Sequence, residues 1–202
     1  MPSRADENLN QTFASLYEVI CSPCFLERRG LGNELPFFIS AYHPTLQSQV
    51  DLLVPALTTK LSNHGVSVLS LNLYDLTVEL LQSRGIWNRL LEKESSLSKA
   101  SFLEQLQRVT DPEEKLVPLI TAKLAGSPCR VLLIDGAGLV FPYIRAQQVL
   151  DNLQKITKRI PTVLFFPGDY SLVEGKGSYL KLFGNLPDDR YYRAFNIADF
   201  QT

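Results

Sequence analysis

The 202-residue sequence predicts an α/β fold, a mostly parallel sheet with helices on both faces. Short apolar runs alternate along it with stretches of helical periodicity, the order that parallel strands and crossover helices require. Those runs are continuously apolar, which predicts strands covered on both sides. One stretch, about 74–125, holds helical patterns alone and reads as a helical insertion.

Leu9, Phe13, Leu16, Tyr17 and Ile20 recur at helical spacing over 9–20. "GLGNELP" (30–36) is a turn-rich connector, and "FFISAY" (37–42) is a short, β-prone, buried strand. Val50, Leu53, Val54, Leu57 and Leu61 line one face of a helix over 46–63, with Pro55 expected to kink it and Gly65 just beyond its end. "VSVLSLNL" (66–73) is a second strand. The insertion reads as three or four helices. The last has Asp111 as N-cap, Pro112 at the first helical position, Glu114 three residues after the cap, and Gly126 at its close.

"CRVLLID" (129–135) returns to strand, and a helix follows over 142–159 with Ala146, Val149, Leu150, Leu153 and Ile156 inward. "TVLFF" (162–166) is a fourth buried strand, which Pro167-Gly168 is expected to stop. Residues 169–189 read as a loop around "YLKLF", and "YYRAFNI" (191–197) as a final strand.

Hydrophobic residues make up 45% and charged residues 20%, enough apolar side chains for a packed core in one domain over 1–202. Twenty Lys and Arg face twenty-one Asp and Glu, so no general attraction pulls the chain toward nucleic acid or anionic lipid. The first residues lack the apolar core of a signal peptide, and no run reaches the roughly 18 apolar residues of a membrane span. Three cysteines make no disulfide framework. A cytoplasmic protein is expected.

"VLLIDGAG" (131–138) ends a strand in Asp135, the place where nucleotide hydrolases hold magnesium. Such chemistry also needs a glycine loop and a lysine between the first strand and the first long helix. "SAYHPTLQSQV" (40–50) has neither, and Pro44 has no N–H to give a phosphate. "VEGKGSY" (173–179) has the wrong glycine spacing and no strand leading directly into it. The expected fold is therefore P-loop-NTPase-like without a P-loop. Asp135 reads as a cap of the strand-to-helix turn, in the crevice where such sheets bind ligands.

Other motifs carry less. Cys21-Ser-Pro-Cys24 has redox or half-zinc spacing but follows a helix and lacks partner ligands; no metal and no cofactor is expected. There is no G-x-S-x-G and no H-E-x-x-H. His43, at a strand end, reads as a base or a turn residue, and Asp188-Asp189 as a solvated turn. "DDRYYRAF" (188–195) mixes arginine with aromatics and reads first as a half-buried edge strand, second as a partner-binding surface and third as a base-stacking one.

Six segments in order, "GLGNELPFFI" (30–39), "LNLYDLTVELL" (71–81), "GAGLVFPYIRAQQVLDNLQ" (136–154), "VLFFPGDY" (163–170), "LKLFG" (180–184) and "DDRYYRAFNI" (188–197), resemble the BrxB family of BREX phage-defence systems. The resemblance implies a component of a multi-protein defence island. Its neighbours would be an adenine-specific DNA methyltransferase, an AAA-type ATPase, the alkaline-phosphatase-like PglZ protein and a small RNA-binding-like protein. The family brings no catalytic residues to carry over, so no enzyme is expected. The leading expectation is a scaffold or adaptor docking other BREX proteins, PglZ first. Its candidate partner-binding residues are Arg145, Tyr170, Arg190, Tyr192 and Arg193. A nucleic-acid-contacting module using the same arginines and tyrosines is the alternative, and a degenerate nucleotide-binding protein centred on Asp135 comes third.

Overall fold

The computed structural model describes residues 4–29, 36–173, 177–187, 191 and 193–200. Two helices open the chain, α1 (Arg4–Cys21) and α2 (Pro23–Leu26). Strand β1 (Phe37–Tyr42), helix α3 (Gln47–Asn63) and strand β2 (Val68–Asn72) follow. Four helices then run without a strand: α4 (Leu73–Ser83), α5 (Trp87–Glu94), α6 (Lys99–Val109) and α7 (Val117–Ala125). The expected cap before α7 forms, with Glu114 N donating to Asp111 Oδ1 at 2.8 Å, and a wide turn over Pro112–Leu116 leads into the helix. After β3 (Val131–Asp135) come α8 (Ala146–Ile156), β4 (Thr162–Val173), β5 (Gly177–Leu182), β6 (Leu186–Pro187) and β7 (Phe195–Asn196).

Strands β2, β3, β4, β1 and β7 lie side by side in that order, and every pair among them is parallel. Successive strand residues point to opposite faces, and the two faces feed two separate cores. On one, Phe38, Leu133, Val163 and Phe165 pack with Leu9, Phe13 and Leu16 of α1 and Val50, Val54 and Leu57 of α3. On the other, Ile39, Leu132, Ile134, Leu164 and Phe166 pack with Leu73 and Leu76 of α4, Ile120 of α7, and Val149, Leu150 and Leu153 of α8. Helices on both faces are thus the direct outcome of central strands whose apolar side chains point both ways. Helices α5 and α6 contribute little to either core: Leu90 is the one buried residue of α5, and α6 has none.

Four expectations are corrected. Pro167-Gly168 does not stop β4; the strand runs through to Val173. Tyr42 of β1 pairs with Pro167, and from Gly168 onward β4 pairs antiparallel with β5. Phe183 N donates to the Pro167 carbonyl at 2.8 Å, which ties the proline to the turn after β5. Residues 169–189 are accordingly a two-stranded arm finished by β6 against β5, with 174–176 and 188–189 outside the described residues. The final strand shrinks from 191–197 to Phe195–Asn196, because Asn196 Oδ1 accepts from Ala198 N and turns the chain into a 3-10 helix. The helix expected over 142–159 begins only at Ala146 and ends at Ile156. The connector 30–36 lies outside the described residues except for Pro36.

A methyl group at Gly168 would overlap the backbone carbonyl oxygen of Lys181 across the arm. Gly168→Ala is expected to destabilise the protein by roughly 1–3 kcal/mol, the usual cost of overpacking. Urea unfolding followed by circular dichroism checks this, and hydrogen exchange should locate the loss in β5.

Candidate functional site

Strands β2 and β3 end side by side, with Asn72 opposite Asp135. Residues of α3 and α4 line, beyond them, a cleft of about 580 Å³ at the carboxyl edge of the sheet, the usual ligand crevice of open α/β folds. Asp51, Asp75 and Asp135 line it, together with Asn72, Tyr74, Thr58, Thr59 and Leu139.

Local sequence explains the placement. Asn72 Oδ1 accepts from Tyr74 N at 2.9 Å and Asp75 N at 3.2 Å, which starts α4 directly at the strand end. Asp75 thereby sits in the first turn of that helix. Asp51 is held from the other side: Tyr42 Oη donates to Gln47 Oε1 at 2.7 Å, and Gln47 Nε2 donates to Asp51 Oδ1 at 2.7 Å. Burial raises the Tyr42 hydroxyl far above its usual range, so it stays a donor.

Asp135 is 7% exposed, and its Oδ1 has no donor among the described residues. Burial, and after it the negative charge of Asp51, push its carboxyl up to about 6; the Asn72 side chain opposes the shift and Asp75 adds to it. A carboxylate held this way can accept hydrogen bonds, bind a cation or exchange a proton near neutrality.

The two glycines after Asp135 serve packing. Gly136 has φ +76°, and a Cβ there would lie 2.7 Å from Asn72 Oδ1. At Gly138 a Cβ would lie 2.9 Å from Pro167 Cγ and 3.0 Å from the Phe183 ring. The turn between β1 and α3 spends its donors on itself. Pro44 has none, Thr45 N faces the His43 ring Nδ1 at 3.4 Å, Leu46 N donates to His43 O at 2.9 Å, and Gln47 N donates to Pro44 O. The segment "VEGKGSY" joins β4 to β5, two strands, where a phosphate loop joins a strand to a helix; its residues 174–176 lie outside the described residues.

The partner-binding candidates fall into two places. Arg145 is exposed at the start of α8, beside a second cavity of about 130 Å³ lined by Phe141, Gln147, Phe166 and Leu180. Arg193 is exposed, and its carbonyl accepts from Gln154 Nε2 nine residues further along α8, roughly 13 Å from Arg145 by helix rise. Tyr170 is half-buried and donates to Ala194 O at 3.0 Å, so its hydroxyl already serves the fold. Tyr191 is exposed beside Tyr179, ring centroids 6.0 Å apart. Arg190 and Tyr192 lie outside the described residues.

Sequence reasoning found Asp135 but missed Asn72, Asp51, Tyr74 and Asp75. "NLYD" (72–75) did carry a signal, an N-cap residue with an acidic residue three positions on. Asp51 carried none, because only the fold brings α3 against the end of β3. Among the described residues no three of His, Cys, Asp or Glu sit close enough to hold a metal ion. The Cys24 thiol donates to Arg29 O at 3.4 Å, and burial raises the Cys21 thiol. No helix among the described residues is long and apolar enough to cross a membrane.

Comparison with known proteins adds a family. The family described as "BREX protein BrxB" matches residues 69–197. A BREX protein BrxB of Bacillus cereus (strain H3081.97) is 31% identical over 195 residues, covering 95% of this chain and 98% of that protein. A BREX protein BrxB of Escherichia coli O9:H4 (strain HS) is 26% identical over 175 residues, covering 86% of this chain and 84% of that protein. No solved structure matches the chain.

The raised carboxyl has a consequence for stability. Between the ordinary value of 3.8 and about 6, folded Asp135 keeps a proton that the unfolded chain has lost. The folded state binds more protons there, so this group's contribution falls as pH rises through the window and stays low above it. Asp135→Asn removes the titration. Relative to wild type, the variant is expected to gain stability from pH 4 to pH 7, up to about 3 kcal/mol at 1.36 kcal/mol per unit. Urea midpoints across that range check it; a difference that does not change with pH would contradict the raised carboxyl.

Proposed function

Because the chain belongs to the BrxB family of BREX proteins, we propose that it acts in BREX phage defence as a non-enzymatic scaffold or adaptor that docks other BREX proteins. The PglZ protein is its first partner, with the AAA-type ATPase and the methyltransferase as further ones. The turn after β1 carries this reading. Its N–H groups are committed to His43 and Pro44, so nothing there cradles a phosphate. The neighbouring cleft is acidic and would repel one.

The fold we infer is that of a P-loop NTPase from which the phosphate loop is gone. Strand β1 lies inside the parallel sheet between β4 and β7, and a long helix follows it, as the strand and helix around a phosphate loop do. What such a chain retains is surface. Arg193 and Tyr191, both just before β7 in sequence, are exposed, and Leu172 is 72% exposed on the arm. Arginine and tyrosine combine large contact area with polar specificity.

Co-expression of the tagged chain with each BREX protein, followed by size-exclusion chromatography, tests the reading. A stable complex is expected, with PglZ first. Arg193→Ala should weaken it by about 2 kcal/mol, roughly thirtyfold, with circular dichroism unchanged. Elution apart from every BREX protein at micromolar concentration would end the scaffold reading. Magnesium with ATP or GTP should yield no phosphate above buffer; turnover that disappears in Asp135→Ala would make the protein an enzyme.

A further inference from the structure

We propose that the Asp135 cleft receives the guanidinium group of an arginine side chain from a partner protein. The inference rests on the docking reading above and gives it a site. Three carboxylates, Asp51, Asp75 and Asp135, line the cleft, and no lysine, arginine or histidine does. The innermost, Asp135, is more than nine-tenths buried, and its Oδ1 has no donor among the described residues. A buried acceptor without a donor is costly, and a donor brought by a ligand removes that cost.

Size selects the kind of cation. No three acidic, histidine or cysteine side chains among the described residues are close enough to grip a metal ion. A cation that serves these carboxylates together has to be broader than a metal. Guanidinium is planar, always charged, and offers five donors in a fixed fork. The rim suits the rest of an arginine: Tyr74 and Leu139 are each 43% exposed there, an aromatic ring for the guanidinium face and an apolar surface for the stem. Thr58 and Thr59 donate their hydroxyls to Val54 O and Pro55 O, which leaves their oxygens as acceptors.

The test titrates the full chain, isotopically labelled, with N-acetyl-arginine-amide by two-dimensional NMR. Saturable shifts are expected at the amides of Asn72, Tyr74, Asp75 and Gly136. Asp135→Asn and, as a second variant, Asp51→Asn should each weaken binding about tenfold, the scale of one charge-assisted hydrogen bond. N-acetyl-lysine-amide should bind more weakly, and magnesium chloride should leave the shifts in place. Equal binding by the lysine probe, displacement by magnesium, or unchanged binding in both variants would overturn the proposal. A partner arm separates the two readings. If a BREX protein is captured but Asp135→Asn loses no affinity for it, the cleft proposal fails and docking stands. If the probe binds as expected but no BREX protein is captured, docking fails, and the partner's arginine fails with it.

Discussion

Everything in this fold leans on strand β4. Its first half lies between β1 and β3, and its side chains alternate between the two cores, Val163 and Phe165 on one side, Leu164 and Phe166 on the other. Its second half leaves the parallel sheet and takes β5 as an antiparallel neighbour. A strand buried on both faces has no solvent to satisfy its backbone, so it must be paired along both edges. That requirement fixes where β1 and β3 stop, and therefore where Tyr42 and Asp135 come to rest. The Phe13 ring stacks on Phe165 at 5.5 Å between centroids, tying the N-terminal helix to the same strand.

The sheet was legible because its signal is local. Four short, largely apolar runs give β1 to β4, and the helical periods between them force parallel crossovers. The capping signals before α7 were legible for the same reason, since Asp111 and Glu114 are three residues apart. The arm was illegible. Proline followed by glycine ordinarily ends a strand, and only the non-local pairings of Pro167 with Tyr42 and Gly168 with Leu182 reverse that meaning. The last strand failed in the opposite direction. Its β-prone residues are present, but Ser178 Oγ bonds the backbone of Ala194 in place of a strand ladder, and Asn196 turns the chain.

The site divides along the same line. Asp135 was visible as the polar end of an apolar run, and the absence of a phosphate loop was visible in "SAYHPTLQSQV". Its setting was not. Asn72 and Asp135 are separated by more than sixty residues in the chain and become neighbours only through the β2–β3 register. Asp51 approaches from a helix on another crossover. The sequence reading of Asp135 as a turn cap accounts for only part of it: the carboxyl is hydrogen-bonded by the Asn72 side chain and by backbone, while its Oδ1 has no donor among the described residues.

That division of labour bears on what the cleft is for. Asparagine has the shape of aspartate without its charge, and closing the β3 turn does not by itself call for a charge. The chain instead buries a carboxyl beside the charge of Asp51 and near Asp75, each of which opposes its ionisation. Gln47 holds Asp51 in place through a bond to Tyr42, so the repulsion is built into the fold. Arrangements that work against stability persist where a ligand or a reaction repays them. The glycines that give "VLLIDGAG" its hydrolase look answer to Asn72, Pro167 and Phe183, and the turn that would hold a phosphate is closed on itself. What remains at the carboxyl edge of the sheet is negative charge without a cradle for anions, a setting that a proton or a cation relieves.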